Sequence, residues 1–232
     1  MVLAKIEMSL SEPSVRAALR DAQKMHRLAA GLYQLPRQEA ELVYRVQLQG
    51  QKVNLYLYAG QPIDRSRLLP GMRLAGEREL SDWLVSMREG QLWGFDLLTM
   101  PFRKVADGES ANSRRRVLRT PEERLAWLNR KAEQNGFAIL EARESAGEKE
   151  SAVHPLEKGG RLYLDSYRYS GTLQIKDLER FKRALRNGIG PGKAYGLGML
   201  LLKNDVPHAR GDEPQLKNAV TNPGELAPRV WG

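Results

Sequence analysis

The chain has 232 residues, of which 41% are hydrophobic and 28% are charged, and this composition predicts a soluble globular protein of one large domain or two small ones. It contains no cysteine, which excludes disulfides, thiolate metal sites and cysteine nucleophiles. It shows neither a signal-peptide pattern nor an apolar run of the roughly 20 residues that cross a bilayer, so we expect a cytoplasmic protein without a membrane partner. Lys and Arg number 37 against 28 Asp and Glu, and the net charge of +9 favours nucleic acid as the partner, although many basic proteins bind no polyanion.

The first ninety residues predict strands and helices in the order of a ferredoxin-like unit. A strand over residues 2–9 precedes a helical pattern of apolar residues from Val15 to Leu32. Two strands follow, over Glu41–Leu48 and Lys52–Tyr58, and then a helix over Glu77–Met87. Strand, helix, strand pair and helix form a split-βαβ unit that lacks only its last strand.

The second half of the chain repeats this scheme. After a strand over Leu92–Leu98, a helix opens at Thr120, with Pro121 at its first position and Glu123 completing a capping box. The later elements are strands over 137–141 and 161–175, a helix over 176–186 and a closing strand over 196–203. We therefore predict an α+β fold of two tandem ferredoxin-like (RRM-like) βαββαβ domains, residues 1–90 and 91–204. The polar stretches Ala106–Arg119 and Glu144–Gly160 are interpreted as long loops.

His26 is the first candidate for chemistry. At helical spacing it shares an apolar stripe with Leu19 and Ala22, where a histidine is often simply a core residue. Lys24 and Arg27 flank it, however, and cations beside an imidazole suit a site that handles phosphate. Cleavage of an RNA strand needs a base for the 2′-hydroxyl proton or an acid for the leaving 5′-oxygen, and imidazole titrates in the range for either role.

The segment 188–198 is rich in glycine, with five glycines in eleven residues. Backbone N–H groups of such a loop can approach a phosphate closely, and Lys193 adds a charge, so we predict phosphate contacts at Gly190, Gly192 and Lys193. Ala194 stands where a Walker A loop requires Ser or Thr, and the segment precedes a strand, unlike a dinucleotide fingerprint. A glycine turn that only packs tightly is the alternative.

The densest cationic cluster lies between residues 103 and 119. Its members are Arg103, Lys104, Arg114, Arg115, Arg116 and Arg119. In a basic protein such a cluster suits a phosphate backbone, although a solvated loop is the usual interpretation of a charge run. No HExxH motif and no clustered Asp, Glu and His spacing stands out, so we expect neither a metal nor a cofactor.

Three segments together resemble one family. They are Met25-His26-Arg27, the glycine segment 188–194 with 196–201 after it, and Arg114–Arg119 running into 120–128. In their order and spacing they resemble the CasE (Cse3) endoribonucleases, the precursor-RNA processing subunit of the type I-E Cascade complex, over about residues 1–204.

This resemblance implies two ferredoxin-like domains that recognise the hairpin of each CRISPR repeat and cut once at the 3′ base of the stem. It implies attack by the 2′-hydroxyl of the RNA itself, a 2′,3′-cyclic phosphate product and no metal, with His26 as general acid or base. The implied partners are CRISPR precursor RNA, its processed hairpin product and other Cascade subunits.

The chain departs from the family pattern beside the histidine. Some members carry a tyrosine and a lysine where this chain has Gln23 and Gly31. Lys24, Arg27 and Tyr33 are the available substitutes, and the sequence does not rank them.

The last residues suggest a separate origin. Residues 206–214 can be encoded by DNA that contains the inverted repeat CCCCACGC/GCGTGGGG, which resembles a type I-E CRISPR repeat. Residues 227–232 resemble the peptide obtained when the same DNA is translated in a reading frame shifted by one base. We interpret 205–232 as translated CRISPR-array sequence and expect it to be disordered, with chance similarity as the alternative.

Two other functions stay open on the sequence alone. The first is a non-catalytic module of the same fold that holds the RNA hairpin, which the departures at Gln23 and Gly31 favour. The second is a general RRM-like single-strand binder, which would need aromatic residues in an RNP1-like pattern on a sheet face. Tyr163, Tyr167 and Tyr169 do not form that pattern.

Overall fold

Two four-stranded antiparallel sheets organise the chain in the computed structural model, which describes residues 1–34, 41–50, 52–105, 114–146, 154–155, 161–162 and 165–204. The elements of the first half are β1 Val2–Ser9, α1 Pro13–Leu19, α2 Ala22–Gly31, β2 Val43–Gln49, β3 Lys52–Ala59, β4 Met72–Glu79 and α3 Ser81–Ser86. Those of the second half are β5 Leu92–Thr99, β6 Phe102–Val105, β7 Arg114–Val117, α4 Pro121–Gln134, β8 Phe137–Ala146, β9 His154–Pro155, β10 Arg161–Leu162, β11 Tyr167–Ile175, α5 Leu178–Asn187 and β12 Leu200–Lys203. Within these ranges no helix is long and apolar enough to cross a membrane.

Both sheets have the strand order of a ferredoxin-like fold, which confirms the predicted fold class. The first sheet runs β2-β3-β1-β4 and the second runs β12-β5-β11-β8. The second unit is complete, because α4 joins its first two strands and α5 joins its last two. In the first unit a single 3₁₀ turn, Arg65–Arg67, stands between β3 and β4 in place of the second helix. The domain boundary near residue 90 stays a prediction.

The predicted helix over Glu77–Met87 is wrong in its first part. Glu77 and Glu79 belong to β4, the strand that the sequence pattern had left missing, and α3 begins only at Ser81. β4 is an edge strand that pairs with β1 alone, and it carries charged residues along its length. Because of those charges, β4 lacks a clear alternation of apolar and polar residues, and the periodicity of the sequence does not predict it as a strand.

The helical stretch from Val15 to Leu32 is divided into two helices. α1 ends at Leu19, and α2 begins at Ala22 after the N-cap residue Asp21. The Asp21 carboxylate accepts hydrogen bonds from the backbone N–H groups of Gln23 and Lys24, so it satisfies two donors that the first turn of a helix leaves open. This cap sets where the turn that carries His26 starts.

The second half follows the sequence prediction closely at its helix starts. The Thr120 hydroxyl accepts from the Glu123 N–H, and the Glu123 carboxylate accepts from the Thr120 N–H, which confirms the capping box. The predicted closing strand is shorter, because Gly196 and Gly198 have φ values of 77° and 85°, which a strand does not adopt.

The two predicted loops contain strands. Arg114–Val117 pairs with Phe102–Val105 as a hairpin, and β8 extends to Ala146. Within the predicted strand over 161–175 the described residues include β10 and β11, and the pairing of β11 with β8 shifts register between Thr172 and Leu173. The interpretation of 205–232 as a tail lies outside the described residues.

A shared hydrophobic core joins the two sheets. One cluster lies between the first sheet and helices α1 and α2. The other packs the second sheet against α4 and α5 and also takes in side chains of the first sheet. Its members from the first sheet include Leu3, Val43, Tyr56 and Tyr58, and those from the second half include Phe95, Trp127, Phe137 and Phe181.

A buried ion cluster also crosses this junction. Asp96 of β5 is 1% exposed and accepts hydrogen bonds from Arg45 of β2 and from Arg168 of β11. The Arg168 Nε and Nη2 atoms lie 2.8 and 2.6 Å from Asp96 Oδ2. Burial acts to raise the pKa of the Asp96 carboxyl, but the two guanidinium groups outweigh it and hold that pKa below its usual value.

The Asp96 cluster predicts an acid-dependent loss of stability. Because the pKa of Asp96 is lower in the folded chain, its contribution to the free energy of unfolding is present above about pH 4 and is lost as the pH falls further. Asp96→Asn should cost about 3–5 kcal/mol at pH 7, since it leaves the buried Arg45 without its counter-charge, and should flatten the dependence of stability on pH below about pH 4. Urea unfolding at neutral and acid pH measures both effects.

The exposed Asp82→Asn on α3 is the matched control and should change stability by less than about 0.5 kcal/mol. An Asp96→Asn variant as stable as the wild type at pH 7 would show that the cluster contributes nothing to the junction.

Candidate functional site

His26 lies on α2 at the edge of the first core. Ala22, Met25 and Ala29 form the buried face of this helix, and His26 follows Met25 in a half-buried position with its Nδ1 shielded from solvent. Lys24 and Arg27 are on the exposed side of the same helix. The imidazole is therefore neither a fully buried core residue nor a surface residue.

Tyr44 links His26 to the glycine-rich segment. The Tyr44 ring is fully buried on β2 and stacks beside the His26 ring, with centroids 6.3 Å apart and planes inclined by 19°. Its hydroxyl donates a hydrogen bond of 2.8 Å to the Ala194 carbonyl. The structure thus brings together two regions that the sequence singled out separately. The sequence pattern places Tyr44 only in the strand predicted over Glu41–Leu48 and gives it no functional role.

The glycines of the segment 188–198 are needed for close packing. At Gly196, with φ of 77°, a Cβ would come within 3.1 Å of the Tyr44 ring. At Gly190, with φ of 82°, it would meet the Thr99 hydroxyl at 2.6 Å. The tight-packing alternative therefore explains why these residues are glycine. A phosphate contact at Gly190 or Gly192 stays a prediction.

An open groove lies between this segment and α4. It has a volume of about 420 Å³, and Lys193 and Gly190 line one side. The other lining residues are Phe102, Lys131, Gln134, Asn135, Gly188 and Pro191. Two lysines and two amides along one groove suit an anionic, hydrogen-bonding ligand.

The cationic cluster forms a β-hairpin. In the pairing of β6 with β7, Arg103 lies opposite Arg116 and Lys104 lies opposite Arg115. Directly opposed residues of antiparallel strands have Cβ atoms about 4.5–5.5 Å apart, and like charges there repel. Arg103 and Arg116 are both exposed, as is Arg119 just beyond the hairpin. Glu123 of α4 lies 4.0 Å from Arg103 and offsets part of this repulsion, and an anion along the hairpin would relieve the rest.

A buried arginine holds the base of this hairpin. The Arg124 guanidinium of α4 donates to both carboxylate oxygens of Glu144, at 2.9 and 2.5 Å, and to the Arg119 carbonyl at 2.6 Å. It also lies over the Tyr167 ring, 4.1 Å from the centroid. The end of the cationic hairpin is therefore fixed to a rigid helix and to the second sheet.

Of the three substitutes for the missing family residues, Tyr33 does not fit the role. Tyr33 is 4% exposed in the first core, and burial raises the pKa of its hydroxyl, so it is a poor proton donor. Lys24 and Arg27 remain, two positions before and one position after His26. Gly31 ends α2, and a Cβ there would meet no atom within 4 Å.

The part of the chain that the structure describes holds no group of three or more His, Asp or Glu residues that could bind a metal ion. Its candidate chemistry is a single imidazole on a helix that also carries the exposed cations Lys24 and Arg27. Together with the fold, these features define a tandem ferredoxin-like protein with an imidazole site and a cationic surface suited to a polyanion.

The comparison with family models gives the family. Residues 1–204 match the model described as CRISPR associated protein, and the chain belongs to this family. Residues 205–232 lie outside the match.

Individual relatives agree with this family. The chain is 35% identical to the CRISPR-associated endoribonuclease Cse3 of Thermus thermophilus over 129 residues, which are 50% of this chain and 57% of that protein. The alignment thus spans less than two thirds of this relative.

The fold is similar to the structure of CRISPR endoribonuclease Cse3 bound to 19 nt RNA, with a TM-score of 0.73 at 25% identity over 87% of this chain and 99% of that one. It is also similar to Thermus thermophilus Cse3 bound to an RNA representing a pre-cleavage complex, with a TM-score of 0.70 at the same identity and coverage.

Proposed function

We propose that this chain is an endoribonuclease that binds the repeat hairpin of CRISPR precursor RNA and cuts it at the 3′ base of the stem. The observation that carries the proposal is the stacking of His26 beside Tyr44, whose hydroxyl binds the glycine-rich segment. The similarity to Cse3 structures bound to RNA supports the substrate class. We place the protein in the cytoplasm with its RNA product and other Cascade subunits as partners, as its family implies.

The chemistry that fits this site is attack by the 2′-hydroxyl of the RNA on the adjacent phosphate. A new P–O bond forms to the 2′-oxygen, the bond to the 5′-oxygen breaks, and the products are a 2′,3′-cyclic phosphate and a 5′-hydroxyl. We assign the Nε2 atom of His26 to the substrate, because Nδ1 is shielded from solvent. Neutral Nε2 accepts the 2′-hydroxyl proton, or its protonated form gives a proton to the leaving oxygen.

Positive charge beside the imidazole stabilises the transition state. The phosphorane gains negative charge on its oxygens, and fixed donors aimed at such charge are usually the largest catalytic contribution. Lys24 and Arg27 are exposed on the same helix as His26, and we assign them this role. No step of this scheme requires a metal ion, so we propose a metal-independent reaction.

The cationic hairpin is assigned to the RNA stem. An A-form stem hides its base edges in a deep, narrow groove, so recognition depends mainly on phosphates and shape. The opposed pairs Arg103 with Arg116 and Lys104 with Arg115 place four cationic residues along one ribbon, and Arg114 and Arg119 extend it. Lys193, with Gly190 beside it in the groove against α4, is assigned to the strand that is cut.

A second candidate function is a non-catalytic hairpin-binding subunit of the same fold. Gln23 and Gly31 at the two family positions favour it, as does the burial of Tyr33. This alternative keeps the same RNA and the same cationic hairpin, and only the cleavage step separates the two functions.

His26→Ala should slow cleavage of a repeat hairpin RNA by roughly 10²–10⁴-fold in buffer that contains EDTA, because it removes the general acid or base. Single-turnover assays give the rate, and analysis of the product end should show the cyclic phosphate. Hairpin affinity should be unchanged. If His26 only fills the core, the variant loses thermal stability and RNA affinity together. A wild type that cuts only with added magnesium would contradict the proposed chemistry.

Gly31→Lys should raise the cleavage rate by roughly tenfold, about 1.4 kcal/mol of transition-state stabilisation, if charge near His26 limits the reaction. The position has room for a side chain at the end of α2, and a lysine there restores the residue found in some family members. Gly31→Ala is the matched control, expected to stabilise the helix by about 0.8–1 kcal/mol without changing the rate. If the wild type does not cut and Gly31→Lys does, the natural chain is the non-catalytic binder.

Replacing Arg103 and Arg116 together by glutamine should weaken hairpin binding and reduce its salt dependence. The slope of log K against log salt should fall by about 0.7–0.9 for each phosphate that the variant no longer neutralises. The rate with saturating enzyme should stay the same, because the hairpin holds the stem and not the reacting phosphate. Filter binding at several salt concentrations measures the slope. The control replaces the exposed Arg73 and Arg88, far from the hairpin in sequence, and an equal decrease there would mean that only net charge matters.

A further inference from the structure

A small pocket lies at the junction of the two sheets, outside the groove assigned to the cut strand. Its volume is about 130 Å³. One wall is apolar and includes Ala22 and Met25 of α2 together with Leu98 of β5. Further apolar residues line the pocket as well, and its polar lining includes Arg45, Arg168 and Tyr195. Apolar surface combined with a few hydrogen-bonding groups is the usual lining of a site for an organic ring.

Among the described residues, the polar lining pairs two guanidinium groups with one carboxylate. Arg45 and Arg168 share the single carboxylate of Asp96. Arg45 is 4% exposed, and none of the described residues accepts a hydrogen bond from its buried Nε. Each guanidinium also has N–H groups beyond those bound to Asp96, and these suit the acceptor atoms of a ligand.

The pocket touches both halves of the candidate active site. Met25 precedes His26 on α2, and Tyr195 belongs to the 3₁₀ turn Lys193–Tyr195, next to the Ala194 carbonyl that Tyr44 binds. A ligand in the pocket would therefore lie close to an RNA strand that passes His26.

We propose that this pocket takes the base of one unpaired nucleotide of the RNA beside the cleavage position, with Arg45 and Arg168 donating hydrogen bonds to its acceptor atoms. The inference depends on the proposed function, because it assumes that RNA passes His26. Guanidinium groups pair well with the neighbouring acceptors O6 and N7 of guanine, so guanine is the expected base.

A base fits the pocket better than a phosphate or a protein segment. The apolar wall of Ala22, Met25 and Leu98 offers nothing to a phosphate, which prefers to stay hydrated, but packs well against a ring. A cavity on the order of 150 Å³ holds a benzene-sized molecule, so a pocket of about 130 Å³ that is open on one side admits one ring of a base, with the second ring of a purine in its open mouth, and does not admit a helix. Splaying one base out of a single strand is the common way in which proteins read RNA.

The test is an abasic scan of the RNA, measured with the wild-type protein and with two pocket variants. Repeat hairpin RNAs each carry one abasic nucleotide, moved through the unpaired positions that follow the 3′ base of the stem, and the Kd of each RNA is measured in EDTA. With the wild type, one position should lose roughly 5–150-fold in affinity, which corresponds to the loss of one stacked base. The variants are Arg168→Ala, which removes a donor, and Leu98→Trp, which fills the pocket; both residues are partly exposed, so the fold should tolerate the changes.

In both variants the intact RNA should bind more weakly, and the abasic nucleotide at that position should cause no further weakening, because the two changes remove the same interaction. Arg73→Ala is the matched control: it removes the same charge from β4, the strand at the opposite edge of the first sheet from β2, and should keep the full abasic penalty.

The proposal is overturned if no position shows a penalty in the wild type, or if the penalty is unchanged in both variants. It is also overturned if the variants bind RNA normally and fail only to assemble with other Cascade subunits, since the pocket would then receive a protein side chain. Cleavage is scored separately. If the RNA is cut in a His26-dependent way but no abasic position weakens binding, only the pocket proposal is rejected. If an abasic position weakens binding but the RNA is not cut, only the proposed catalysis is rejected.

Discussion

The hydrogen bond from Tyr44 to the Ala194 carbonyl is the contact on which the candidate site depends. It joins the first sheet to a segment 150 residues later in the chain, and the Tyr44 ring lies beside His26. A buried tyrosine hydroxyl needs a partner, so the ring position and the carbonyl position constrain each other. Gly196 leaves the space that this approach requires. His26 is therefore held relative to Lys193 by packing of the folded core, and not by neighbours in the sequence.

Charge is distributed between two different environments. At the junction, Asp96 pairs with Arg45 and Arg168 away from solvent. A buried charge without a partner strongly destabilises a fold, so this pairing is what allows the three charged groups to lie there. On the β6–β7 hairpin, the exposed Arg103 and Arg116 are directly opposed, and such pairs have Cβ atoms about 4.5–5.5 Å apart, less than the Debye length of about 8 Å, so salt screens their repulsion only in part. The first arrangement stabilises the relation between the two sheets. The second makes a surface whose energy falls when a polyanion binds.

The glycine-rich segment shows how packing and function coincide. Its glycines fit against Thr99, Trp127 and Tyr44, so the backbone has little freedom once the domains have formed. A segment held in this way presents the backbone of Lys193 in a fixed geometry, which lowers the cost of ordering it when a ligand binds. Tight packing and ligand contact are therefore compatible interpretations of the same residues.

Features that depend on neighbouring residues could be predicted from the amino-acid order. The capping box at Thr120, most strands, the ferredoxin-like order and the candidacy of His26 all follow from local spacing and residue chemistry. Features that depend on distant residues emerged only when the chain was folded. β4 escaped prediction because the charged residues of this edge strand give it a weak apolar period. Tyr44 and Asp96 gained their roles from partners brought close by folding, and no pattern along the chain records which residues will meet across two sheets.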